Sequence, residues 1–138
     1  MSLKIMDNSN KKLKPSIVWL TQPEAHDYPA ASSYLSLIFD PIQVQKLLDQ
    51  LQKQPISQFK AKDIFRAAQL PLLDAHNFHV ARDITKIEQE KALSPLLLVR
   101  DLAQHKVIIA DGYHRLCAVY LHDEDALIPC QIVSFDAS

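Results

Sequence analysis

Glycine is nearly missing from this chain. Its 138 residues contain one, Gly112, where an average chain of that size carries roughly ten. This excludes every loop that needs several glycines, including the Walker phosphate loop and the dinucleotide fingerprint. Cysteine is sparse as well. Cys117 and Cys130 have neither CxxC spacing nor a secretion signal before them. They read as free thiols of a cytoplasmic protein, and a single bridge between them is the less favoured alternative. An excess of one charge is also lacking. Lys and Arg total 15 against 16 Asp and Glu, which leaves no global footprint for nucleic acid or an anionic membrane. No apolar run approaches the ~18 residues of a membrane span.

What is present has the texture of an α+β domain. SIVWL, residues 16–20, is a short β-branched run that predicts an edge strand. Pro23 and Pro29 punctuate the loop after it, and residues 30–39 read as a short helix with Tyr34, Leu35 and Ile38 on one side. Asp40-Pro41 is a helix start, with Asp as N-cap and Pro in the first helical position. Val44, Leu47, Leu48 and Leu51 follow at amphipathic spacing, so residues 41–53 are predicted helical. A further helix at 60–69 would bury Ile64, Phe65 and Ala68 before Pro71 stops it. Val80, Ile84 and Ile87 mark another at 77–91, capped by Asn77 or Asp74, with His79, Arg82 and Lys86 on its other face.

The texture then changes to strand, turn, strand, helix, strand. The strands are expected near 96–100, 106–110 and 128–133, and the helix at 113–121. With 17–20 they would make a small mixed sheet packed by helices, in one domain over residues 15–138. Residues 1–14, polar and lysine-rich, read as a mobile tail.

The lone glycine sits in IIADGYHRLCAVY, where a strand ends and a helix begins. The first turn of a helix has unpaired N–H groups and a partial positive charge. Gly112 lets the backbone take a positive φ and lets a ligand approach closely. His114 and Arg115 add positive charge where the helix dipole already disfavours it, an arrangement that an anion resolves, most often a phosphate. Asp111 has three available roles: helix cap, acceptor for a substrate hydroxyl, or metal-associated carboxylate. The plainer alternative is a common Asp-Gly turn with Arg115 paired to Asp111.

PLLLVRD, then VIIADGYHRLCAVY, then IPCQIV resembles the ParB/sulfiredoxin superfamily over about residues 68–133, most specifically at DGYHR. The resemblance implies a ParB/sulfiredoxin-like small mixed sheet, with the N-terminal helices as an addition. It also implies a nucleotide bound at the loop, such as ATP, ADP or CTP, with Mg²⁺. Gly112 and Tyr113 would lie at the backbone approach, His114 and Arg115 on the phosphates, and Asp111 and His114 in catalytic roles. Lys86 and His79, on the element before the paired strands, and Arg100 would be further phosphate contacts. Tyr113 stands where a sulfiredoxin needs cysteine, so reduction of a sulfinic acid is not expected. The helix-turn-helix DNA domain of ParB partition proteins has no counterpart in these residues.

Three functions follow as expectations. The first is a phosphate- or nucleotide-binding domain with phosphotransfer or nucleotide hydrolysis. The second is a ParB-like nuclease, which the scattered lysines do not favour. The third is a non-catalytic protein-interaction module. His76 and His79, three apart, are a weak metal-ligand signal that lacks a third partner in the sequence.

Overall fold

The computed structural model describes residues 15–136. The tail expected at residues 1–14 lies outside the described residues. From residue 27 the chain forms α1 (Asp27–Leu35), α2 (Pro41–Lys53), β1 (Ser57–Lys60), α3 (Ala61–Ala68) and α4 (Phe78–Glu88). It continues as β2 (Leu96–Asp101), β3 (Lys106–Asp111), α5 (Tyr113–His122) and β4 (Leu127–Phe135). The strands hydrogen-bond in the order β1-β4-β2-β3. β1 runs antiparallel to β4, β4 parallel to β2, and β2 antiparallel to β3. The β2–β3 hairpin therefore leads through α5 to a strand laid beside the hairpin's first arm.

Alternation along the strands divides the core between the two faces of the sheet. Leu96, Leu98 and Ile109 point to one face, where they meet buried side chains of α3, α4 and α5. Leu97, Val99, Ile108 and Ala110 point to the other, covered by α1 and α2. Each fully buried leucine contributes about 2 kcal/mol of transfer free energy, and Leu51, Leu96, Leu97 and Leu116 are all completely buried. β2 is buried at every position from Leu96 to Val99, as a strand covered on both faces must be.

The hairpin is irregular at one point. Leu98 pairs with Ile109, but Leu97 pairs with Asp111, so Ala110 is an extra residue in β3. Directly opposed residues share a face. The bulge therefore puts Asp111 on the same side as Leu97, toward α1, rather than beside Ile109.

Two expectations are corrected. SIVWL is not a strand of the sheet: Trp19 makes only an isolated parallel bridge to Leu93. The fourth strand is instead β1, whose four residues alternate half-buried and exposed. The helix expected at 30–39 starts earlier, at Asp27, and ends at Leu35. Pro29 sits in its first turn, where a missing N–H costs no intrahelical bond. Of Tyr34, Leu35 and Ile38, expected on one side of it, Leu35 is completely buried while Tyr34 and Ile38 are 44% and 48% exposed. By contrast α2 runs over the expected residues, with Asp40 and Gln43 forming a reciprocal capping box. Both cysteines are buried and free.

Candidate functional site

Gly112 is the N-cap of α5, at φ 112° and ψ 17°. A side chain there would be strained by that backbone, and its Cβ would lie 2.7 Å from Leu96 Cγ and 3.0 Å from Arg115 Nη2. The glycine is thus required by both conformation and packing. No side chain caps the first turn of α5, so its leading N–H groups keep their partial positive charge.

This turn forms one wall of a cleft of about 230 Å³. The wall comprises Asp111, Gly112, Tyr113, His114 and Arg115. α4 contributes Arg82, Asp83 and Lys86, the loop before β2 contributes Ser94, and the segment leading into α1 contributes Glu24 and His26 together with Asp27, the first residue of that helix. The buried polar and charged residues of the described chain are Asp27, Asp83, Ser94 and Gln131, at 2%, 4%, 3% and 1% exposure. All but Gln131 line this cleft. Gln131 is accounted for elsewhere, accepting from Tyr28 Oη at 2.6 Å and donating to the Gln54 carbonyl at 3.0 Å.

The carboxylates differ in how they are held. Asp27 accepts from the Glu24 N–H at 2.9 Å and lies 3.5 Å from His26 Nε2. Ser94 Oγ donates to Glu24 Oε1 at 3.1 Å. Asp111 accepts from Arg115 Nη2 at 2.9 Å. Asp83, on the covered side of α4, makes no side-chain hydrogen bond among the described residues. Burial raises the Asp111 carboxyl above its ordinary range; Arg115 pulls it back and the nearby Asp27 carboxylate pushes it further up. Asp27 and Asp111 are thus neighbouring carboxylates supplied by distant parts of the chain, and the bulge in β3 turns the second toward the first.

Arg115 donates through Nη2 to Asp111 and, at 3.4 Å, to the Pro95 carbonyl. Its Nε is buried without a partner among the described residues, and a buried donor left so costs about 1–3 kcal/mol. The His114 ring lies 4.8 Å from that of His79. Burial, and then the neighbouring His79, lower the His114 pKa below 6.5, opposed by Asp83. The Tyr113 hydroxyl donates to the Pro71 carbonyl, fastening the start of α5 to the loop before α4.

The structure therefore brings Asp111, Gly112, Tyr113, His114, Arg115 and Lys86 together, with His79 against His114. It does not bring Arg100. That side chain was expected to face the loop, but Arg100 pairs with Val107 while Leu97 pairs with Asp111, which sets it ~10 Å along the strand. It opens on a different cavity. His76 is paired with Asp74 at 3.1 Å, its side chain 98% exposed. Among the described residues no group of three or more His, Cys, Asp or Glu is placed to hold a metal ion.

Glu24, His26, Asp27, Asp83 and Ser94 were not anticipated. Asp83 did leave a signal: it falls between Val80 and Ile87, which are the other buried residues of α4. An acidic residue in an apolar stripe needs a reason. Asp27 left none, because only the tertiary fold carries α1 to the end of β3. No protein-family model matches the chain, and neither a curated protein nor a solved structure matches it.

Proposed function

We propose that the cleft at the start of α5 binds the phosphates of a nucleotide or another phosphate-bearing small molecule, in the manner of the ParB/sulfiredoxin superfamily, and that Asp111 and His114 serve phosphotransfer or nucleotide hydrolysis there. The carrying observation is the convergence of Arg82, Lys86 and Arg115 on an uncapped helix start with a left-handed glycine. Fixed cations and free N–H groups at one point suit an anion with several oxygens. The order hairpin, glycine turn, helix and strand agrees with the superfamily's arrangement.

The cleft also holds negative charge, which a bare phosphate site does not need. Magnesium is commonly held by one or two carboxylates together with substrate phosphates. Asp27 and Asp111 fit that role, for an ion that arrives with the nucleotide rather than occupying a preformed cage. When bound it would neutralise phosphate charge. The protein's own residues would orient the phosphates through Arg82, Lys86 and the α5 N–H groups. His114, whose protonated form burial disfavours, would accept the proton of an attacking hydroxyl or water. A volume of about 230 Å³ is small beside the ~300–1,000 Å³ of drug-sized sites, so sugar and base would extend past the rim near His79.

A second reading treats Asp111–Arg115 as a structural ion pair, favoured by its 2.9 Å geometry and low exposure. Thermal unfolding with ATP, ADP, CTP and GTP, with and without Mg²⁺, separates the two. A ligand at 100 times its Kd stabilises the fold by about 2.7 kcal/mol. Lys86→Ala, which removes a cleft cation outside the ion pair, should weaken that response with little change in the unliganded Tm. No shift with any nucleotide at millimolar levels, or an undiminished one in both Lys86→Ala and Arg115→Ala, would sink the proposal.

A further inference from the structure

Arg100 and the cavity it opens on are unused by the site described above. The cavity measures about 210 Å³ and lies between α3 and the sheet. Leu98, Val107 and Ile132 make its floor, Ile64 and Ala67 its roof, and Phe59 one wall. Arg100 and Asp63 are the charged residues that line it. Arg100 is half-buried, and its side chain makes neither an ion pair nor a hydrogen bond among the described residues. A guanidinium is costly to desolvate without a partner. Asp63 does not serve as one: it is 57% exposed and leans toward Arg66, at 3.9 Å.

An apolar cavity of ~150 Å³ accommodates benzene, so about 210 Å³ has room for roughly six to eight heavy atoms. We infer that this cavity is a binding site for a small monocarboxylate with a short apolar body, the carboxylate paired to Arg100 and the body lying between α3 and the sheet. Charge complementarity selects the class. The planar fork of Arg100 matches a carboxylate bidentately, and the remaining lining offers apolar contact with little that would satisfy a polar body. A phosphate without an apolar group would leave the chamber unfilled, and an amine would face the fixed cation while the other charged lining residue, Asp63, is exposed and turned toward Arg66.

The inference is independent of the nucleotide proposal, and its test keeps the two apart. Ligand-observed NMR and thermal unfolding would be run with sodium hexanoate, 1-hexanol and hexylamine. Hexanoate should bind at millimolar concentration, hexanol more weakly, and hexylamine not at all. Arg100→Met keeps the apolar stem and removes the charge; it should weaken hexanoate roughly tenfold, to the level of hexanol. Ala67→Leu places a good helix former where it grows into the chamber, and should abolish binding of both. Arg115→Ala should leave hexanoate binding unchanged. The site is overturned if hexanoate binds no better than hexylamine, if Arg100→Met has no effect, or if folded Ala67→Leu still binds. Loss of hexanoate binding in Arg115→Ala would place the carboxylate in the other cleft and overturn it equally.

Discussion

At the scale of single residues, Gly112 is held by two constraints that act together, its left-handed backbone and the Leu96 side chain beneath it. Gly112→Ala should therefore cost about 3 kcal/mol, a fall in Tm on the order of 10 °C by calorimetry. A loss under 2 °C would show that the turn has room to relax. His114 gives a test in pH. Its folded pKa is depressed below 6.5, chiefly by burial, so on acidification the unfolded chain takes up the proton first. Its contribution to stability is complete above about pH 7 and is lost as pH falls through the folded value. His114→Gln should flatten the decline in denaturation midpoint below pH 6.5 relative to the parent; an unchanged slope would count against burial of the ring. The two cysteines are governed by the same desolvation. It pushes the Cys130 thiol up to about 12 and raises Cys117 as well. A thiol reagent at pH 8 should label both at the rate of unfolding and neither in the folded protein.

At the scale of elements, the scarcity of glycine appears where helices and hairpins end. Gln69, Glu90 and His105 adopt φ of 57°, 55° and 54° without being glycine. His105 closes the turn between β2 and β3, where Asp101 accepts from the Gln104 N–H at 3.1 Å. Glycine is favoured at such a position. His105→Gly should raise Tm by a few degrees, the relief of left-handed strain outweighing the added freedom of the unfolded chain. A fall would mean that the histidine ring contributes more than its backbone costs. Elements were legible in the sequence where the local signal and the tertiary environment agree. α2 has its Asp-Pro start, its capping glutamine and a four-residue apolar stripe, and it needs nothing from elsewhere. β1 and SIVWL show the reverse. SQFK carries only Phe59 as an apolar anchor, yet β4 offers it an edge. SIVWL has the better strand composition but only Leu93 as its partner. Strand propensity describes fit to a pleated surface, and the fold decides which segment meets one.

At the scale of the molecule, the candidate site was half legible. Residues 111–115 announce themselves because the chain's one glycine stands among charges. In the opposing wall Asp83 left a mark in the apolar stripe of α4, whereas Asp27 and Ser94 come from segments with none. The sheet order that unites them has a consequence in time. β2 and β3 are neighbours in sequence and can pair early, whereas β4 must find β1 across some 70 residues, from Ser57 to Cys130, and lie parallel to β2. Such closures are the slow steps of folding. α5, which carries the glycine turn at one end, leads into β4 at the other, so its C-terminal end is fixed when that closure is made. Under the proposed function, ligand capture at Gly112 should therefore be acquired late by the nascent chain, a clock for the completed fold.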